Sequence, residues 1–349
     1  EGKVLRFKKA VIATGGRPVA PPIEGLAEAG YLTNETVFSL TERPKRLAVI
    51  GAGPIGSELA QAFRRLGSEV VLLHHGAHIL DREDTDAAEI LQNTLVKEGV
   101  RLLLECETDR VVRSEDGRTL FFASKDGSGQ VTVDEILLAV GRVPNVEDLN
   151  LAAVGVEYDN RGVRVNDRLQ TTNPRIYAAG DVAIDYKFTH AADFTARIVI
   201  QNALFLGRRK LSALTVPWCT YTDPEIAHVG MYKRDAAERG IAVDTFVKPL
   251  SEVDRALVDA EEEGFVKVHV KKGSDKILGA TIVARHAGEM INEITLAMVA
   301  GVGLKTIANV IHPYPTQAEA IRHLGDAYNR TRLTPFVGRL FRRWLSLTR

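Results

Sequence analysis

Gly51-x-Gly53-x-x-Gly56 is the group of residues in this 349-residue chain whose types and spacing most directly imply chemistry. Gly51 permits a tight turn, Gly53 lets a pyrophosphate approach the backbone, and Gly56 lets a helix pack closely on a strand. Pro54 and Ile55, inside the triplet, share the expected binding surface. An apolar strand, Leu47–Ile50, leads into the loop, an amphipathic helix follows, and a second apolar strand, Val70–Leu73, comes next. The helix N-terminus then faces the phosphate charge. An isolated glycine triplet could be a chance turn; between two strands at this spacing it predicts dinucleotide binding.

Two further groups complete the nucleotide chemistry. Gly180-Asp181 closes the apolar strand Ile176–Ala179, at the carboxyl edge where open α/β sheets bind ligands. Asp181 can accept a hydrogen bond from a ligand hydroxyl there; its plainer role is a helix N-cap. Thr189-His190-Ala191 opens a long helix, Thr189–Leu206, whose dipole favours negative charge at that end; His190 can equally be a residue of the cap. About 20 residues beyond the glycines, where an acid would bind the 2′-hydroxyl of NAD, stands His74. It neither demands nor forbids a 2′-phosphate, and Arg82 is the nearest cation, so NADP and NAD both remain open. The run His74-His75-Gly76-Ala77-His78 has the composition of a metal patch, but without a supporting acid or cysteine pattern it is expected to be a loop and no metal site is assigned.

The elements that must position these residues follow from pattern. Val4–Thr14 reads as strand, ending in Ala13-Thr14-Gly15-Gly16-Arg17-Pro18. A short helix is expected at Glu35–Leu40 and a longer one at Asp84–Glu98. Short strands are expected at Leu102–Glu105, Val111–Arg113, Thr119–Ala123 and Gln130–Val133, with turns at Asp116-Gly117 and Asp126-Gly127. The apolar strand Ile136–Val140 closes on Gly141-Arg142-Val143-Pro144, which repeats the pattern near the start and suggests two comparable nucleotide-domain edges carrying Thr14, Gly15 and Gly141. After a composition change at Leu211–Pro217, Phe265–Val270 and Ile277–Val283 alternate as antiparallel strands. Helices follow at Glu289–Ala300, Leu304–Val310 and Gln317–Arg330. The expected fold class is α/β with an α+β C-terminal domain.

Composition is that of an ordinary globular protein, with 45% hydrophobic and 26% charged residues. Formal net charge is zero, so no global field favours nucleic acid. Cys106 and Cys219 are the two cysteines and form no CxxC pattern, which disfavours a disulfide scaffold and points to a cytoplasmic setting. No apolar run reaches the ~18 residues of a membrane span. The chain begins at Glu1 and enters a strand at once, so it is expected to be a fragment whose N-terminal part is missing.

The segments AVIATGGRP, GAGPIGSELA, LLAVGRVPN, TTNPRIYAAGDVA, YTDPEIAHVG and HPYPTQAEA together, in this order, resemble the class I pyridine nucleotide-disulfide oxidoreductases. The stretches ILDREDTDAAEI and VDRALVDAEEEGFVKV are similar to the mercuric-reductase-like branch, and the chain also resembles the dihydrolipoamide-dehydrogenase-like members. The resemblance implies a homodimeric flavoprotein using FAD and NADP or NAD, with Rossmann-like FAD- and NAD(P)-binding domains and a dimerisation domain. It implies the end of the first FAD segment at 1–43, the NAD(P) domain at 44–142, the returning FAD segment at 143–212 and the dimerisation domain at 213–330. Residues 331–349 form a tail.

It also assigns roles. Asp181 would meet a ribityl hydroxyl of FAD. Glu58, read as lying on the first turn of the nucleotide helix, would pair with a flavin-side lysine absent from this chain. Pro54 stands where some members carry a gating tyrosine and cannot swing. Tyr314 stands where the dihydrolipoamide and glutathione enzymes carry the acid/base histidine, Glu319 keeps the orienting acid, and His312 lies two residues earlier. Tyrosine is a poor base at neutral pH, but mercuric-reductase-like members carry it here against a metal-thiolate substrate. No C-terminal cysteine pair is present, and neither Cys106 nor Cys219 can replace a CxxxxC pair.

The implied function is electron transfer from nicotinamide through flavin to a small-molecule thiol or disulfide, or to a thiol-bound metal. That is an oxidoreductase acting on sulfur groups or on metal ions, with this fragment inactive by itself. The alternatives are an NAD(P)H oxidase or transhydrogenase without a redox disulfide, and a non-catalytic nucleotide-binding, dimerising module. In the tail, Val337, Leu340, Phe341, Trp344 and Leu345 recur at helical spacing with Arg339, Arg342 and Arg343 elsewhere around the helix. Such a helix can lie on a membrane surface; packing on the protein or exposure to solvent is the simpler reading.

Overall fold

The fold is that of a computed structural model, which describes residues 6–125 and 127–348. Val4 and Leu5 of the first expected strand, and the Asp126 half of the Asp126-Gly127 turn, lie outside them. The chain divides into two compact units, residues 1–80 with 95–216, and residues 81–94 with 217–349.

The first unit opens with β1 (Ala10–Ile12), β2 (Gly16–Pro18) and the short helix α1 (Leu26–Ala29). The nucleotide-type elements β3 (Arg46–Ile50), α2 (Pro54–Arg65) and β4 (Glu69–Leu73) follow. After α3 (Thr85–Lys97), most of which belongs to the second unit, the first unit resumes with β5 (Arg101–Leu103), β6 (Cys106–Ser114), β7 (Gly117–Ser124), β8 (Gly127–Val133) and β9 (Glu135–Leu138). Strands β5-β4-β3-β9 form a parallel sheet. Its strands are runs of Val, Leu and Ile because a parallel sheet is covered on both faces; Leu47, Ala48, Val49, Leu72, Ile136 and Leu137 are wholly buried. Strands β6, β7 and β8 form an antiparallel meander.

The unit continues with β10 (Arg142–Pro144), the small hairpin β11 (Tyr158–Asp159) and β12 (Gly162–Val163), β13 (Ile176–Ala178) and α4 (Thr189–Leu204). β13 pairs in parallel with β1, Val11 opposite Tyr177. The two similar Gly-Arg-Pro segments follow strands of two different parallel pairings, β1 with β13 and β9 with β3, and they also meet each other. They are the two strands of one antiparallel ribbon, with Gly16 opposite Pro144, Arg17 opposite Val143 and Pro18 opposite Arg142. Each arginine binds the other segment: Arg17 donates to Asn145 Oδ1 at 3.0 Å and to Glu147 at 2.8 and 2.9 Å, while Arg142 donates to the Gly16 carbonyl.

Three expectations shift. The helix at Glu35–Leu40 is a single 3₁₀ turn, Val37–Ser39. Thr36 accepts from the Thr33 amide at 2.9 Å through its hydroxyl, and Ser39 donates to the Thr36 carbonyl at 2.6 Å; such side-chain bonds compete with the helix. The strand at Leu102–Glu105 stops at Leu103, and Glu105 takes a left-handed φ of 47°. The strand expected at Ile136–Val140 ends at Leu138, with the Ala139 N–H still donating to the Ile50 carbonyl at 2.8 Å.

The second unit carries five antiparallel strands. They are β14 (Pro217–Thr220), β15 (Glu225–Gly230), β16 (Val243–Pro249), β17 (Phe265–Lys271) and β18 (Ile277–Ala284), in the order β14-β15-β18-β17-β16. Only β17 and β18 were legible in advance. Helices α5 (Lys233–Glu238) and α6 (Asp254–Val258) lie among them, and α7 (Ala287–Ala300), α8 (Leu304–Ile307) and α9 (Glu319–Thr331) follow. Val266, Val268, Ile282, Ile294 and Ile321 meet in the core between sheet and helices.

In the same unit Glu83 is buried and accepts from Trp218 Nε1 at 2.7 Å and from the Tyr232 hydroxyl at 2.5 Å. Burial pushes its carboxyl up, opposed by those two donors. Lys267, also buried, donates to Asp84 and Asp86 at 2.8 Å. The final helix, α10 (Pro335–Leu347), buries none of its residues. Among the described residues no helix is long and apolar enough to cross a membrane.

Candidate functional site

The three glycines of the loop divide their work as their surroundings require. Gly51 has φ +100°, and a Cβ there would lie 2.6 Å from the Ala139 carbonyl oxygen. A Cβ on Gly56 would lie 1.8 Å from the Gly51 carbonyl oxygen, so helix and loop touch backbone to backbone. Gly53 differs: nothing of the protein lies within 4 Å of its Cβ position. It is the N-cap of α2, with Pro54 at the first helical position, where proline needs no amide partner. The helix N-terminus therefore opens onto space that a phosphate can fill.

Glu58 is the fifth residue of α2, on its second turn and half-buried. The first-turn placement is thus corrected, and with it the plainer explanation through the helix dipole, which fades beyond the first turn. His74 is 4% exposed just past β4, and its Nδ1 accepts from the Ala52 amide at 3.3 Å. That bond ties the end of β4 to the glycine loop.

A groove of about 530 Å³ in the first unit brings several of the expected residues together. Gly15, Ile55, Gly180, Asp181 and Thr189 line it, joined by Gly16, Arg142, Lys187 and Ala192. Ile55 comes from the nucleotide helix and Asp181 from the end of β13, so the two motifs border one space. Gly180 takes φ +75°, and its amide donates to the Thr195 hydroxyl at 3.0 Å. Asp181 sits inside a 3₁₀ turn, Gly180–Val182, whose cap makes no side-chain bond, so it is not the helix cap of the plainer reading.

The positive charges on this groove come from residues sequence reasoning did not single out. Arg142 Nε lies 3.4 Å from Asp181 Oδ2, yet this buried atom has no hydrogen-bond partner among the described residues. Lys187 Nζ donates to the carbonyls of Asp181 at 2.7 Å and Ile184 at 3.1 Å. The signal for Arg142 was present in the repeated Gly-Arg-Pro pattern; for Lys187 there was none.

The remaining nominees lie apart from the groove lining. Thr14 donates to the Asn145 carbonyl at 2.6 Å. Gly141 has φ +116° and faces open space. His190 stacks on Phe188 with ring centroids 5.3 Å apart. The Ala191 side chain is buried in the apolar cluster beneath α4, because the next residue, Ala192, is the one turned to the groove.

In the second unit, Tyr314 is 69% exposed and its hydroxyl donates to Asp254 Oδ2 at 2.9 Å. That bond and the carboxylate's charge push the phenol up from its ordinary value. Glu319, the first residue of α9, accepts from Arg322 at 2.8 Å. Within this chain the carboxylate bonded to Tyr314 is Asp254. His312 Nε2 lies 3.1 Å from both Glu293 oxygens, with its Nδ1 3.1 Å from the Val310 carbonyl. Asp254 and Glu293 were not foreseen; their partners are remote in sequence.

FAD and a nicotinamide dinucleotide fit these residues. The open cradle at Gly53, the glycine-walled groove and the unbonded Arg142 Nε are features that an anionic, hydroxyl-rich dinucleotide completes.

Comparison with known proteins bears on the same regions. Residues 1–196 match the family model for pyridine nucleotide-disulphide oxidoreductases, and residues 216–324 match the dimerisation domain of that family. The chain is 38% identical to a mercuric reductase of Staphylococcus aureus over 322 residues, covering 92% of this chain and 59% of that protein. It is 35% identical to a dihydrolipoyl dehydrogenase of Thermus scotoductus, covering 94% of this chain and 72% of that one. Among solved structures, the HOCl-induced flavoprotein disulfide reductase of Escherichia coli superposes with a TM-score of 0.83 at 30% identity, covering 91% of this chain and 73% of that chain. The chain thus spans 59% of the length of the mercuric reductase it matches. With the glycine loop, the Asp181 strand end and the five-stranded C-terminal sheet all in the matched regions, the chain belongs to the pyridine nucleotide-disulphide oxidoreductase family, whose cofactors are FAD and NAD(P)H.

Proposed function

We propose that this chain is the larger part of an FAD-dependent NAD(P)H oxidoreductase. Its acceptor is a thiol, a disulfide or a thiol-bound metal, as in mercuric-reductase-like enzymes. The observation that carries the reading is the shared groove: Ile55 of the nucleotide helix and Asp181 of the returning segment line one space of about 530 Å³. When bound there, flavin supplies the two-electron chemistry that side chains lack.

The chain's own residues then bind and orient. The α2 N-terminus at Gly53 takes the pyrophosphate of NAD(P)H. Asp181 accepts from a hydroxyl of the flavin side chain, and Arg142 and Lys187 supply positive charge to the groove. Glu58 and the first turn of α4 around Thr189, His190 and Ala191 complete the surroundings by backbone and charge. The proposed limits are 1–43 and 143–212 for the FAD segments, 44–142 for NAD(P), 213–330 for a homodimer interface and 331–349 for the tail. Tyr314 and Glu319 belong to the acceptor side.

Neither cysteine of this chain supports a role as the thiol relay. Cys106 is 4% exposed and burial pushes its thiol up to about 11, so it is not a nucleophile at neutral pH. Cys219 is half-buried on β14.

Anaerobic titration of the full-length protein with NADH and NADPH tests the reading. Bleaching of flavin absorbance with a thiolate-to-flavin charge-transfer band is the expected result. Bleaching without that band would replace the disulfide route by an oxidase or transhydrogenase. A full-length protein that binds NAD(P)H and carries no flavin would leave only the nucleotide-binding module.

A further inference from the structure

We propose that α10 lies flat on an anionic lipid bilayer and docks the protein to it. The helix spans Pro335–Leu347 and none of its side chains is buried. It is nevertheless well specified: Pro335 holds the first position, and the Thr334 hydroxyl accepts from the Val337 amide at 3.4 Å. At ~100° per residue, Phe336, Val337, Leu340, Phe341, Trp344 and Leu345 fall within about half of the circumference. Arg339, Arg342 and Arg343 share the other half with Ser346. Phe336 and Trp344 are 67% and 64% exposed, so the apolar face stands largely open to solvent.

Charge decides the occupant. From Ala327 to Arg349 the chain has Arg330, Arg332, Arg339, Arg342, Arg343 and Arg349 and no aspartate or glutamate, although the whole chain is neutral. A basic face opposite a Trp, Phe and Leu face is what the headgroup region of an anionic bilayer accommodates. Nucleic acid would satisfy the arginines and leave the aromatic side in water. A second copy would bring arginine against arginine. A helix of 13 residues is also only about 20 Å long, too small a strip for the ~1,000 Å² that a stable protein interface buries.

The test is co-sedimentation of the full-length protein with vesicles of phosphatidylcholine alone or with about 30% phosphatidylglycerol at low salt. Binding only to the anionic vesicles is expected. Arg339→Gln/Arg342→Gln/Arg343→Gln is expected to weaken it roughly 100-fold, about five-fold per arginine. Phe341→Glu/Trp344→Glu is expected to abolish it. Since these side chains are exposed, melting temperature should be unchanged in both variants, which separates loss of binding from loss of fold. No binding to anionic vesicles, or binding indifferent to both variants, overturns the proposal. So does a change in the protein's oligomeric mass in the Phe341/Trp344 variant without any vesicle binding by the parent. Retention of RNA that survives the Phe341/Trp344 change, in a parent that ignores vesicles, overturns it in favour of nucleic acid.

Discussion

Tyr314 donates its hydroxyl hydrogen to Asp254 at 2.9 Å, across 60 residues of sequence. The bond joins the exposed loop before α9 to the first residue of α6. A phenol bonded to a carboxylate is harder to ionise, so Tyr314 holds its proton at neutral pH. Asp254→Asn is expected to lower the Tyr314 titration midpoint towards the ordinary ~10. Tyrosinate absorbance followed with pH, parent and Asp254→Asn each corrected by the matching Tyr314→Phe protein, measures the change. Identical midpoints would mean the bond does not persist in solution.

The glycine loop makes a paired prediction. Gly53→Ala adds a methyl that meets nothing within 4 Å, so the fold should be retained. The methyl instead occupies the phosphate's approach, and the Kd for NAD(P)H should rise at least tenfold, about 1.4 kcal/mol. Gly56→Ala drives a methyl to 1.8 Å from a backbone oxygen and should destabilise the protein by more than ~3 kcal/mol. Thermal melting and nucleotide titration of both variants check this; equal losses of stability would contradict the division of labour.

His228 predicts an acid-sensitive second unit. Its Nδ1 lies 2.8 Å from the Thr281 hydroxyl, its ring stacks on Tyr232 at 3.6 Å, and burial pushes the imidazole down to about 3. The unfolded imidazole takes a proton near ~6.5. The unfolded state therefore binds more protons between these values, and stability falls as pH drops from about 6.5 towards 3. At pH 5 the loss is about 2 kcal/mol. Urea unfolding at pH 7 and pH 5 should show it, and His228→Gln should remove most of the difference.

Glu83 is the common acceptor of Trp218 and Tyr232. Glu83→Ala removes it from two donors at once and should cost about 2–4 kcal/mol. Glu83→Gln keeps an acceptor and removes a buried charge, so its cost should be well below that. Chemical unfolding of the two variants gives the ranking, and a Gln variant as damaged as the Ala variant would point to a need for the charge itself.

What the amino-acid order alone determined is local. The Gly51 to Gly56 loop, the apolar runs of β3, β4 and β9, and the alternation of β17 and β18 are written in neighbours a few residues apart, because turn geometry and strand period act at that range. The passage from α/β to α+β near Pro217 follows from the same short-range signals. Strands β14, β15 and β16 left weaker marks: β14 has four residues, and β15 is mostly buried without alternation.

Tertiary structure alone decided who meets whom. Pairing turned two similar Gly-Arg-Pro segments into one ribbon and so carried Arg142 to Asp181. Chain folding brought Asp254 to Tyr314, set Ala192 rather than Ala191 at the groove, and sank Glu83 between Trp218 and Tyr232. These contacts join residues tens to hundreds of positions apart. They form only where burial makes a donor and an acceptor find each other, which no short stretch of sequence can specify.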